Sequence, residues 1–167
     1  SGTVLSSSVE SVETTSSATV CIKQQRIKDD SRLPSGCQAE TTLTNIKQPN
    51  TPIEVTKIEK KASSLGPDQI KLTFIIHLQK VEDGLLLPRE SIYEPTSSEE
   101  RIEFSAGFFN GQTFECSPTI DNKIDFREKQ KVIKCRTIVT LQQEYIQEPL
   151  EIILGYGFQK TASIPEI

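Results

Sequence analysis

The chain has 167 residues, 35% of them hydrophobic and 25% charged, which suits one domain with a lean core. A formal charge of −4 without a dense Lys/Arg block excludes the basic footprint of a nucleic-acid binder. The longest apolar runs, Phe74-Ile75-Ile76 and Leu85-Leu86-Leu87 among them, fall far short of the roughly 18 residues of a spanning helix.

Residues 1–20 stand apart from the rest. Seven are Ser and four are Thr, none is Lys, Arg or Pro, and Val4, Leu5, Val9, Val12, Ala18 and Val20 are spaced among them. Thr and Val favour strands, yet this stretch holds too few apolar side chains to form a core alone. It reads as an extended β-arm that needs another sheet. From Thr3 to Ser11 the odd positions carry Leu5 and Val9 without a charge, so the odd register is expected to face inward. The chain contains no Met, so Ser1 is expected to follow trimming, removal of a signal peptide or a fusion cut.

Cys21 opens a polar loop with turn signals at Lys28-Asp29-Asp30-Ser31 and Pro34-Ser35-Gly36, which ends at Cys37. Ile53-Glu54-Val55-Thr56 begins a strand. Ile70, Leu72, Phe74, Ile76 and Leu78 then alternate with Lys71, Thr73, Ile75, His77 and Gln79, period two sustained for ten positions, and Asp83-Gly84 follows as a turn. Leu85–Leu87 and Ser91-Ile92-Tyr93 are ambiguous because Pro88 and Pro95 interrupt them. Asn110-Gly111 predicts a hairpin between strands at 101–104 and 112–116, and Ser97–Ile102 has room for one helical turn. Residues 131–141 alternate again. Pro149 introduces a last strand with Leu150, Ile152, Leu154, Tyr156 and Phe158 on one face, and Thr161–Glu166 gives a short final segment. Phe74, Ile76, Val139, Ile152, Leu154 and Tyr156 are the expected inward core.

Four cysteines allow three connectivities. Cys21 with Cys37 and Cys116 with Cys135, 16 and 19 positions apart, fit best as disulfides, each contributing about 3 kcal/mol in the chain-entropy model. The alternative is four buried thiols in a reducing compartment; the disulfide reading implies an oxidising, extracytoplasmic one. Without an N-x-S/T sequon, glycosylation is expected only as O-linked sugar on the Ser/Thr-rich start.

Candidate chemistry is sparse. His77, the one histidine, lies on the polar face of its strand and reads as a surface residue. Asp29-Asp30 and Glu99-Glu100 are adjacent pairs, not the separated, converging carboxylates of glycoside hydrolysis. Asp121, Asn122 and Asp125 offer hard oxygen ligands in one loop, a calcium candidate resting on Asp121 and Asp125 that lacks the Gly and terminal Glu of an EF-hand. Gly155-Tyr156-Gly157 matches no phosphate loop and reads as a bulge or a close approach of another backbone. Phe108, Phe109 and Phe114 read as core packing ahead of a sugar platform. No catalytic set or cofactor motif is read.

Several short alternating strands separated by turns predict an all-β fold, a disulfide-stapled antiparallel β-sandwich of residues 21–167 with the arm of residues 1–20 before it. The order Cys21…Pro34-Ser35-Gly36-Cys37, Pro52–Ile58, Lys71–Ile76, the Cys116…Cys135 couple and the ending Leu150–Phe158 resembles the immunoglobulin-like surface domains of secreted archaeal proteins. It departs from them with Glu82-Asp83-Gly84, where an Asn-Gly turn is more usual. The resemblance implies a β-sandwich, a cell-surface location and no enzyme. Two roles follow as expectations. One is a subunit of an extracellular, pilus-like filament or surface assembly, a homopolymer in which the arm (Val4, Leu5, Val9, Val12) inserts into a neighbour as a donor strand. The other is an adhesin that binds a glycan or protein through loops at one end of the sandwich.

Overall fold

The computed structural model describes residues 4–27, 32–89, 101–109 and 111–164, and within them the chain is all-β. Ten strands run in chain order: β1 (Val4–Lys23), β2 (Glu40–Leu43), β3 (Ile53–Ser64), β4 (Gln69–Lys80), β5 (Leu85–Leu87), β6 (Arg101–Phe108), β7 (Glu115–Ser117), β8 (Lys123–Asp125), β9 (Gln130–Thr140) and β10 (Tyr145–Ile164). They form two five-stranded antiparallel sheets. The first has the order β1-β10-β6-β8, with β5 also on β10; the second has the order β2-β3-β4-β9-β7.

Alternation built this sandwich. Even residues Leu72, Phe74, Ile76 and Leu78 of β4 and Ile152, Leu154, Tyr156 and Phe158 of β10 are buried between the sheets. Val139 faces the same core but is only partly buried. Tyr156 ties the layers together, because its hydroxyl accepts the Ile53 N–H of β3 at 3.2 Å. Burial pushes that phenol up to about 12.

Both predicted disulfides form, Cys21–Cys37 and Cys116–Cys135. The second joins directly opposed residues of β7 and β9 within one sheet. The first joins β1 to the loop that precedes β2, where Gly36 adopts a φ of 86°. Neither is the inter-sheet bridge of an antibody domain, and the sequence has no Trp to pack on one.

Three expectations change. The hairpin predicted at Asn110-Gly111 is short: the Gly111 N–H donates to the Phe108 carbonyl, Gly107 bridges Thr113 and the Phe114 N–H donates to the Ala106 carbonyl, after which β7 pairs with β9 in the opposite sheet. The chain crosses between layers there, and Phe74, Phe108 and Phe114 fill the crossing, with Phe74 stacked on Phe114 at 5.3 Å and Phe108 edge-on to Phe114 at 4.9 Å. The last strand begins at Tyr145, before Pro149. Proline is tolerated because the β6 ladder starts only at Leu150 and Pro149 contributes a carbonyl alone, accepting from the Phe109 N–H. The predicted final segment is a continuation of β10 to Ile164. Of the possible helical turn at 97–102, Arg101 and Ile102 begin β6 and the rest lies outside the described residues, as do Asp29-Asp30, Ser91-Ile92-Tyr93 and Glu99-Glu100.

Candidate functional site

The predicted arm and the first residues of the predicted body form one strand, so the 20/21 boundary falls inside β1. β1 pairs with β10 of the same chain along its whole length, from Val4 opposite Ile164 to Lys23 opposite Tyr145. Even residues oppose even residues in this register. Val12, Thr14, Ser16, Ala18, Val20 and Ile22 therefore share the inward face of β10, with Val12 only partly buried. In its own sheet the arm thus presents the even positions to the core from Val12 onward. Val9 stands on the other face, half-buried near Gly157. Val4 and Leu5 pair with Ile164 and Ser163.

The two halves of β1 are held differently. From Ser16 onward the strand is fastened to the opposite sheet and its approaches. Ser16 Oγ donates to Gln48 Oε1 at 3.3 Å, and that oxygen also accepts the Val55 N–H. Ser17 exchanges both main-chain bonds with Lys47, at 2.9 and 2.8 Å. Cys21 is covalently tied to Cys37, and its carbonyl accepts from Lys60 Nζ at 2.6 Å. Lys60 also donates to the Gly36 carbonyl, and burial together with the Lys23 charge lowers its pKa to about 8. Before Ser16 the described side-chain tie is one ion pair, Arg89 Nη2 with Glu13 Oε2 at 2.6 Å. Residues Val4–Ser8 pair with Lys160–Ile164, a stretch of β10 beyond the reach of both β5 and β6.

β1 is an edge strand. Ser17 bonds outward to Lys47, so the main-chain groups of Thr19, two residues on, also point away from β10. In β2 the Ala39 carbonyl accepts from Ala62, so those of Thr42 point away from β3. Thr19 and Thr42 both line a groove of about 920 Å³ between the edges of the two sheets. Leu43 and Ile46 line it as well and pack partly against the core. Lys47 is the one charged residue among the described lining.

The other predicted site residues are dispersed. Asp121 and Asn122 both have positive φ, 53° and 59°, between Ile120 and Lys123, which exchange main-chain bonds. This is a two-residue turn of the kind that tight hairpins require. Asp125 of β8 is the register partner of Arg101 in β6 and makes an ion pair with Arg127 at 3.2 Å. Among the described residues no three His, Cys, Asp or Glu side chains gather as a metal site. His77 contacts Glu59 at 3.1 Å on the outer face of the second sheet, and this bond is the main reason the Glu59 carboxyl is held below its ordinary range. Phe109 is exposed, apart from the packed Phe108 and Phe114. Among the described residues no helix is long and apolar enough to cross a membrane.

Two antiparallel sheets stapled by two disulfides define the class as a β-sandwich suited to an oxidising environment. No protein-family model, curated protein or solved structure matches the chain.

Proposed function

We propose that this is a structural subunit of an extracellular filament or surface assembly, an immunoglobulin-like domain of the secreted archaeal kind that its sequence resembles. Copies join when the first residues of β1 pass to a neighbouring copy. The observation that carries this reading is the unequal fastening of β1: a disulfide, a main-chain bridge and side-chain bonds hold Ser16–Lys23, while Val4–Ser8 pair, among the described residues, with β10 alone. An isolated pair of strands is marginal in water, so this end exchanges partners at little cost. Its uncharged β-prone composition suits main-chain pairing with another copy.

Negative-stain imaging and size-exclusion of the full chain beside a variant lacking residues 1–9 test the proposal. Concentration-dependent assembly by the full chain alone is the expected result. A full chain that stays monomeric at high concentration, or a shortened one that still assembles, would overturn it and leave the binding-module role.

A further inference from the structure

The groove between β1 and β2 has the features of an acceptor for an extended chain. Two sheet edges meet there with unspent main-chain groups. Thr19 on one wall and Thr42 on the other each aim an N–H and a C=O into or along it, and neither group has a partner across that edge among the described residues. Side-by-side strand addition uses such groups for affinity. The floor adds a reason for specificity, because Leu43 and Ile46 are only partly covered and leave apolar surface for an incoming side chain.

We infer that this groove receives the first residues of β1 from a second copy, with Leu5 and Val9 directed to Leu43 and Ile46. This rests on the proposed strand hand-over and names where the strand goes. Three properties select the occupant. The β1 side of the groove runs from Ser17, already bonded to Lys47, to Cys21, whose carbonyl is already bonded to Lys60, about 13 Å at roughly 3.3 Å per residue. A segment of the length of Leu5–Val9 therefore fits beside it and finds both main-chain groups open at Thr19. Those five residues carry no charge, as the Ser/Thr-lined wall requires, since a buried unpaired charge there would be costly. The first charges after them are Glu10 and Glu13, and the single charged lining residue is Lys47. A strand running antiparallel to β1, with Val9 toward the Ser17 end, meets the Ser17–Lys47 bridge that closes that end and turns outward before it, which brings Glu10 to the exposed Lys47 side chain. The odd register, which faces away from the core in the chain's own sheet, becomes the inward one in the neighbour. A head-to-tail contact of this kind does not close on itself and so propagates a fibre.

The test uses the full chain and a synthetic peptide of residues 1–12 carrying a photoreactive group at position 5. Cross-links mapped by mass spectrometry are expected at 19–21 and 41–43. Two variants accompany it. Thr42→Pro removes the outward N–H without touching the β2–β3 ladder, and Lys47→Glu reverses the charge at an exposed side chain that lies outside the core. Each is expected to lower both cross-link yield and assembly at least tenfold, with unchanged far-UV circular dichroism. Cross-links confined to 157–164, or both variants assembling like the parent, would overturn the groove assignment. If loss of residues 1–9 abolishes assembly while both variants assemble normally, the strand hand-over stands and the groove assignment fails. If loss of residues 1–9 changes nothing, the hand-over itself fails.

Discussion

Arg89 lays its guanidinium over Gly155, in the space that a Cβ at that position would enter. A Cβ built there would lie 2.9 Å from Arg89 Nη2 and 2.5 Å from Glu103 Oε2. Glu13, Gly155 and Glu103 form one row across β1, β10 and β6, since Gly155 is the register partner of both glutamates. Arg89 reaches Glu13 at 2.6 Å and Glu103 at 3.5 Å, so one cation spans three strands on the outer face of the sheet. The glycine in the middle of that row therefore makes room for two side chains, where the sequence suggested a bulge or the close approach of another backbone.

Gly155→Ala should displace Arg89 and act mainly through that loss, because the atoms it meets are the ends of flexible side chains. The pair is partly exposed, so Arg89→Ala should cost only about 0.2–1 kcal/mol in chemical denaturation. The informative measurement is coupling. Arg89→Ala in the Gly155→Ala background should cost almost nothing further, whereas additive losses would show that the two residues act independently. Both variants should speed amide exchange before Ser16 more than after it.

Lys60 should give folding a distinctive alkaline slope. Its pKa is lowered from 10.5 to about 8 by burial and by the Lys23 charge, so the folded state holds the proton less tightly than the unfolded one. Below about pH 8 both states are protonated and the burial penalty is felt in full. Between about 8 and 10.5 the folded state gives up its proton first, so stability rises with pH across that window. Urea midpoints of the parent and Lys60→Met, compared from pH 7 to 10, should show the parent gaining relative to the variant. Parallel curves would disprove the assignment.

Much of this fold was legible because period two survives in the residues that bury it: Ile70 to Leu78 and Leu150 to Phe158 announce both faces of their strands. The cysteine spacing pointed to the correct pairing. Lys60 was not foreseen, yet its signal was present. Val55 and Ile58 are both apolar but of opposite parity, and the register shift between Val55 and Lys57 moves the inward face from odd to even residues. That one bulge puts an ammonium group beside the Cys21 carbonyl. From Thr3 to Ser11 the odd positions hold Leu5 and Val9 without a charge, while the even ones hold Val4 and Glu10. The even run Val12, Ala18, Val20 and Ile22 fixes the register in the chain's own sheet, and small Thr14 and Ser16 within it masked the pattern. The Arg89 row was invisible, because it brings together residues from four separate segments. The groove was hidden for a similar reason, since it arises from where two sheet edges end and from no local motif.

Phe74 and Tyr156 test the core in two ways. Phe74 is fully buried against Phe108 and Phe114, so Phe74→Ala should cost roughly 3–5 kcal/mol. Phe109→Ala, 54% exposed, should stay within about 0.5 kcal/mol and serves as the control. Tyr156→Phe keeps the ring but strands the Ile53 N–H, a loss of about 1–3 kcal/mol. Equal stability of Tyr156→Phe and the parent would mean that this N–H finds another acceptor.

Thr14 supplies the last prediction. It is 4% exposed on the inward face of β1, and its Oγ1 has no hydrogen-bond partner among the described residues. A hydroxyl buried without a partner gives up its water and receives nothing in exchange, at a cost of about 1–3 kcal/mol. Valine has nearly the same shape without the oxygen and a higher strand preference. Thr14→Val should therefore stabilise the folded chain by about 1 kcal/mol, read as a higher denaturation midpoint with an unchanged slope. Thr14 lies between the fastened part of β1 and the ribbon at Val4–Ser8, so the gain should slow amide exchange around Val12–Thr15 and leave Val4–Ser8 as it was. Assembly should persist, because the segment proposed to move ends before Thr14. A variant that is more stable but no longer assembles would show that the moving segment extends past Thr14, and a destabilised variant would show that the hydroxyl is satisfied by water in solution.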